Sequence, residues 1–160
     1  MQPIEFEYAV ESEFACDADS AISLFSDIDN LIRCTSGVER CDRIGDSTYA
    51  WTFVEKRELG LVFQPRFTLD YAWDGEGRLL WSTIRHDAES NVRVSACVDF
   101  SAIAPARCLV RIRERIGFEL PVSFITAKIV RAIARREAES DTKDLLHRMQ
   151  ESLVHNRQGD

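Results

Sequence analysis

Histidine is scarce in this chain. His86, His147 and His155 are the whole complement, and two of them lie close to the C-terminus, so no histidine-rich metal site is predicted. The five cysteines (Cys16, Cys34, Cys41, Cys97 and Cys108) form an odd set without a C-x-x-C pair. That argues against a disulfide framework or a zinc site and leaves buried free thiols as the expectation. No stretch comes near the roughly 18 apolar residues of a membrane span. "MQPIEFEYAVESEF" has neither a basic n-region nor an apolar h-region, so the expected location is the cytoplasm. Positive charge is in deficit, with 20 Lys and Arg against 27 Asp and Glu and a net charge of -7. This balance opposes the counterion release that drives binding to nucleic acid. Catalytic signatures are missing as well: there is no G-x-S-x-G, H-E-x-x-H or P-loop, and "GEGRLL" lacks the third glycine of a dinucleotide loop. No cofactor, metal or nucleic-acid partner is therefore predicted. His86 stands beside Asp87, but neighbouring strand residues point to opposite faces, which weakens the pair as a dyad.

What the chain does have is the makings of one core. Its 160 residues are 45% hydrophobic and 29% charged, and residues 1–160 read as a single domain that buries on the order of 70% of its unfolded surface. "IEFEYAVESEF" alternates Ile4, Phe6, Tyr8 and Val10 with Glu5, Glu7 and Glu11, the pattern of a half-buried strand. "CDADSAISLFSDIDNLIRC" then offers Asp17 or Asp19 as an N-cap, with Ile22, Phe25, Ile28, Leu31 and Ile32 at helical spacing, and predicts two short helices broken near Asp27. Six further strands follow from Val38 to Phe118, with "IGDS" and "WDGEGR" as the clearest hairpin turns. Pro121 opens a long helical segment to about Leu153. In that segment Ile125, Ile129, Ala132 and Ile133 share one face, while Leu145, Leu146, Met149 and Leu153 share another roughly 130° away. One straight helix could not bury both, which predicts a kink or break near residues 139–142.

This order makes an α+β arrangement in which a curved sheet wraps the last helix. "DADSAISLFSDIDNLIRCTSGVERCDRIGDSTYAWTF" resembles the opening of the START-like, or SRPBCC, helix-grip superfamily, which includes lipid-transfer domains and polyketide cyclases/aromatases. Relatives there often carry Trp-x-Pro-Gly-Val before the second strand; here Cys34 stands near the tryptophan and Ser36 near the proline, ahead of Gly37 and Val38. The resemblance implies a helix-grip fold, a seven-stranded antiparallel curved sheet around a long C-terminal helix, with an internal cavity and no shared catalytic residue. It also implies that the first and last strands are antiparallel neighbours. Glu5, Glu7, Glu11 and Glu13 would then face Arg111, Arg113 and Arg115 on the outer surface, making the arginine row structural.

With those arginines outward, Val110, Ile112, Glu114, Ile116 and Phe118 point inward. A core carboxylate at Glu114 either bonds a buried partner or serves as a polar anchor or general acid/base whose pKa burial would raise. Tyr49, Trp51, Phe53 and Glu55 share one side of their strand, and Phe67, Leu69, Tyr71 and Trp73 share one side of theirs. Such rows pack a core, or wall a small-molecule pocket if small residues such as Ala127, Ala132, Ala134 and Ala138 on the helix leave room. The register of residues 78–86 stays open between Leu80, Ser82 and Ile84 inward and Leu79 and Trp81 inward. "ELGLVFQP" either extends a strand or forms a flap or dimer contact. "AKIVRAIARR" carries Lys128, Arg131, Arg135 and Arg136 without an acid. Its apolar stripe is expected inside the sheet, leaving a solvated basic rim and disfavouring membrane contact.

The resulting expectation is a binding or carrier protein for a hydrophobic small molecule, such as a lipid, isoprenoid, polyketide or aromatic compound. The predicted lining is Trp51, Phe53, Leu69, Tyr71, Trp73, Phe100, Ile112 and Ile129, with Glu114 as anchor. Two alternatives stand beside it. One is a cyclase/aromatase-like enzyme using Glu114, with Glu55 or Tyr71, for proton transfer. The other is a filled core acting through surface protein or membrane contacts.

Overall fold

The structure, a computed structural model, describes residues 1–84 and 89–158. His86 and Asp87 lie outside the described residues. The chain begins with β1 (Gln2–Phe14), whose glutamates face out while Ile4, Phe6, Tyr8, Val10 and Phe14 are buried. Two short helices follow, α1 (Ala18–Ser26) and α2 (Ile28–Cys34). Asp17 caps the first by accepting from the Ser20 amide at 2.7 Å, and Asp27 caps the second by accepting from the Asn30 amide at 3.2 Å. The chain-break residue foreseen at Asp27 is thus the cap that restarts the helix.

Seven strands form one antiparallel sheet in the order β1-β9-β8-β7-β6-β3-β2. Its members after the helices are β2 (Val38–Arg43), β3 (Thr48–Phe53), β6 (Arg66–Trp73), β7 (Leu79–Thr83), β8 (Val92–Ala104) and β9 (Arg107–Leu120). A separate two-stranded hairpin, β4 (Lys56–Glu58) and β5 (Leu61–Phe63), stands off the main sheet. "STYAWTFVEKR" is therefore not one strand: it leaves the sheet after Phe53, and "ELGLVF" turns back on itself. Leu59 (φ 51°) and Gly60 (φ 75°) both adopt left-handed backbone at the tip, the conformation a two-residue hairpin turn needs to match strand twist.

β1 and β9 pair along their whole length, with Glu7 opposite Arg115 and Glu11 opposite Arg111. Arg115 reaches Glu5 at 3.4 Å and Glu7 at 3.6 Å, Arg93 reaches Glu5 at 3.3 Å, and Arg107 pairs with Glu13. Arg113 turns instead to Asp99, 3.1 Å away on β8. These exposed pairs are each worth at most about 1 kcal/mol, and they account for Arg113 and Arg115 without an external anion, while Arg111 stands opposite Glu11 in the register.

The C-terminal helix, α3 (Phe124–Gln158), starts three residues later than Pro121 suggested, with the Ser123 hydroxyl accepting from the Thr126 amide at 3.2 Å. It also runs unbroken for 35 residues, so the foreseen break near 139–142 is absent. The reason lies in which stripe faces the sheet. Ile125 and Ile129 are 72% and 49% exposed, and the inward face of the first half is Ala127, Val130, Ala134 and Ala138. Those small residues continue in line into Thr142, Leu145, Leu146 and Met149, all buried, so one stripe serves the full helix. The larger isoleucines had drawn the periodicity to the wrong face.

The unbroken helix makes a direct expectation. Ser140→Pro removes a mid-helix hydrogen bond and should cost about 3 kcal/mol or more, read by chemical denaturation, whereas Ser140→Ala should be neutral or slightly stabilising. A Ser140→Pro variant as stable as the parent would restore the broken helix.

Candidate functional site

Between the inner face of the sheet and the alanine-bearing part of α3 lies a cavity of about 230 Å³. Phe6, Tyr8, Trp51, Phe53, Phe67, Leu69, Tyr71, Trp81, Val94, Glu114, Ile116 and Phe118 line it from the sheet. Ala134, Ala138, Asp141, Thr142 and Leu145 line it from the helix, and Leu31, Thr35 and Ser36 from α2 and the residues after it. Opposite alanines, aromatic side chains have nothing large to interdigitate with, and space remains. Towards the helix C-terminus Leu146 and Met149, both fully buried, close the same gap.

One row across the sheet organises the polar chemistry. Tyr8 on β1 stands opposite Glu114 on β9, Glu114 opposite Ala96 on β8, Ala96 opposite Trp81 on β7, and Trp81 opposite Tyr71 on β6. The open register question is thereby answered, with Leu79 and Trp81 inward and buried. Because Ala96 is small, the Trp81 indole reaches over it and donates to Glu114 Oε2 at 3.0 Å. The Tyr8 hydroxyl donates to Glu114 Oε1 in a short contact and also meets the Thr142 hydroxyl at 2.7 Å. With the Tyr8 proton on Glu114, the Thr142 hydroxyl has one proton to give, to Tyr8 or to the Ala138 carbonyl 2.9 Å away. Glu114, Tyr8 and Thr142 thus form a continuous hydrogen-bonded chain from sheet to helix.

Among the described residues Glu114 has no cation beside it. It is enclosed by protein, yet part of its surface stays accessible, and that surface belongs to the cavity. Burial pushes its pKa up, while the bonds from Tyr8 and Trp81 pull it partly back. Tyr8 is held well above the ordinary tyrosine range, first by burial and then by the neighbouring carboxylate. Burial likewise raises Tyr71. The buried Trp51 indole N–H has no hydrogen-bond partner among the described residues. Burial pushes the Cys41 thiol up to about 11 and raises Cys34 and Cys108, which leaves these thiols protonated and unreactive at neutral pH.

The mouth of the cavity is more polar. Lys56 and Phe63 of the hairpin and Pro65 beyond it line one side, Glu137 and Asp141 the other. Lys56 Nζ bridges to Glu137 Oε2 at 3.1 Å, tying hairpin to helix, and Phe63 stacks on Phe118 with ring centroids 5.1 Å apart. "ELGLVFQP" thus folds back as a hairpin beside the opening. Burial raises Asp141, with Lys56 opposing the shift.

Of the residues singled out from sequence, Trp51, Phe53, Leu69, Tyr71 and Glu114 meet in this cavity. Four do not. Trp73 is 39% exposed at the end of β6, where it leans on Phe100 at 5.8 Å; Phe100 packs against Phe25 at 5.4 Å, under α1. Ile112 is wholly buried in solid core, and Ile129 lies on the outer face of α3. Glu55 also misses the cavity: exposed at the strand end, it pairs with Arg57 at 2.8 Å. Tyr8, Thr142, Lys56, Glu137 and Asp141 went unnoticed. For Tyr8 the signal was present, since the β1 and β9 alternations place it inward, but the exact register was needed to set it against Glu114. Among the described residues no cluster of His, Cys, Asp and Glu could hold a metal ion, and no helix is long and apolar enough to cross a membrane.

No protein family and no curated protein matches the sequence. Solved structures do resemble the fold. A START superfamily protein from Mycobacterium smegmatis aligns at 15% identity and TM-score 0.64 over 91% of this chain and 97% of that one. The Zhui aromatase/cyclase from Streptomyces sp. R1128 aligns at 10% identity and TM-score 0.65 over 92% and 93%. Norcoclaurine synthase from Thalictrum flavum, in complex with dopamine and hydroxybenzaldehyde, aligns at 14% identity and TM-score 0.65 over 96% and 88%. The protein has the START-like, SRPBCC-type helix-grip fold.

Proposed function

We propose that the protein binds a compact hydrophobic small molecule in this cavity, with Glu114 as the polar anchor. The observation that carries the reading is a lining of aromatic side chains and alanines with one carboxylate, Glu114, on the sheet wall, apart from Glu137 and Asp141 on the helix side. Size narrows the ligand class. A cavity of about 150 Å³ accepts benzene, so 230 Å³ suits one or two rings rather than a diacyl lipid. An aromatic or cyclised polyketide-like compound fits better than a long chain. The aromatic molecules bound by the norcoclaurine synthase of similar fold support the same class.

A second reading is favoured by the chain from Glu114 through Tyr8 to Thr142. A neutral Glu114 can donate toward Tyr8 and an ionised one can accept from it, so the carboxyl can exchange a proton without leaving a partner unpaired. A cyclase-like enzyme would use that freedom as general acid or base. Glu114→Gln separates the two: an enzyme loses turnover of a bound compound, and a carrier has none to lose.

Occupancy is tested by titrating one- and two-ring phenols such as 2-naphthol against the emission of Trp51 and Trp81. Saturable one-to-one quenching is expected, with affinity at least tenfold weaker in Ala138→Leu, whose side chain fills the space. That variant should keep or gain stability. Loss of about 1–3 kcal/mol from overpacking, with no saturable binding, would indicate a filled core instead.

The raised pKa of Glu114 gives a pH dependence of known sign. Folded Glu114 holds its proton to higher pH than the unfolded chain does, so its contribution favours folding at low pH and is lost as pH rises through the folded pKa. The thermal midpoint of the parent should fall relative to Glu114→Gln as pH is raised from about 5 to about 8. Parallel curves would mean that Glu114 is not desolvated.

A further inference from the structure

The outer face of the first half of α3 has no folding explanation. Phe124 is 62% exposed, Ile125 72% and Ile129 49%; at 100° per residue Ile125 and Ile129 lie opposite the alanines that face the cavity, and Phe124 stands on the flank between the two faces. Interleaved with them are Lys128, Arg131, Arg135 and Arg136, and residues 121–136 contain no acid. The rest of the helix is built differently. Its ion pairs all begin at Glu137: Lys56 with Glu137, Glu139 with Lys143, Asp144 with Arg148, and His147 with Glu151. None of the four bases before Glu137 has a carboxylate partner among the described residues. Lys128 rests instead over the Phe124 ring, 4.6 Å from its centroid.

We infer that this face is a docking surface for an anionic lipid bilayer, with Phe124, Ile125 and Ile129 entering the headgroup boundary and Lys128, Arg131, Arg135 and Arg136 meeting lipid phosphates. Large apolar side chains alternating with bases on one helical face are the pattern of an interfacial helix, whose basic stems can lie along the apolar surface while their charges stay at the headgroups. The charge selects the partner. A protein of net charge -7 is repelled by an anionic surface everywhere except at such a patch, so the approach is oriented. A symmetric pairing of two copies would set these bases against one another. Nucleic acid would use the bases but leave three large apolar side chains in water. One turn further along the same helix, Glu137 lines the cavity mouth.

The test is co-sedimentation of the full chain with vesicles of phosphatidylcholine alone and of phosphatidylcholine mixed with phosphatidylglycerol. Binding is expected only with the anionic vesicles, and it should fall several-fold when salt is raised from about 0.1 to 0.5 M. Each basic side chain near such a surface is worth about fivefold in binding, so Arg131→Glu with Arg135→Glu should weaken it at least ~25-fold. Ile125→Ser with Ile129→Ser should also abolish it, and both double variants should melt like the parent because their side chains are exposed. The inference is overturned by equal binding to neutral vesicles, by no binding to anionic ones, or by double variants that bind as the parent does. It is equally overturned if the face proves to hold a second copy, seen as a dimer by light scattering that Ile125→Ser with Ile129→Ser dissolves, with no vesicle binding. A single-stranded RNA that binds while vesicles do not would assign the bases to nucleic acid.

Discussion

A sheet walled with tryptophan, tyrosine and phenylalanine grips a helix that offers it alanine, and this mismatch of side-chain size is the constraint from which the rest follows. Packed interiors leave few voids larger than a water molecule, so a gap of 230 Å³ must be held open by its surroundings. Here the frame is the long β1–β9–β8 ladder on one side and the plug of Leu146 and Met149 on the other. Phe25, Phe14 and Phe100 complete a solid core beneath α1. The domain therefore concentrates its packing at one end and leaves the other hollow, beside the hairpin.

The same constraint explains why a carboxylate can sit in the interior. Glu114 would be costly in a filled apolar core. At the cavity wall it receives bonds from Tyr8 and Trp81, and Ala96 keeps the path to Trp81 clear. Thr142 closes the network onto the helix backbone, so the polar row also fixes how the sheet and α3 sit against each other. Replacing Ala96 by a larger residue would part Trp81 from Glu114 without touching either. Outside, charge is handled in the opposite way, by exposed pairs that contribute little each.

Much of this is legible in the sequence. Alternation in β1 and β9 set Ile4 to Val10 and Val110 to Phe118 inward, and with them Glu114. Asp17 and Asp27 marked the helix starts by the chemistry of capping. What misled was α3. Periodicity finds the apolar faces of a helix but does not say which one the sheet takes, and isoleucine outweighs alanine in any such reading. Once Ile125 and Ile129 were assigned inward, a break had to follow. Trp73 and Phe100 differ for another reason: Trp73 ends β6 and Phe100 lies on the stretch of β8 under α1, both beyond the cavity, and period two carries no information on position along a twisted strand. Tyr8 and Trp81 needed exact registers, which turn lengths alone left ambiguous. Lys56, Glu137 and Asp141 come from elements distant in sequence, and only the fold brings them to one opening.

The most direct measurement is a methyl-resolved NMR titration of the full chain with one- and two-ring aromatic compounds. If the interior takes a ligand, shifts will concentrate on Ala134, Ala138, Val94 and Ile116 at the cavity wall, while Ala132 and Ile125 on the outer face of α3 stay unmoved. Shifts confined to the outer face, or a compound set that moves none of the interior methyls, would contradict a ligand-holding cavity and return the function to the surface.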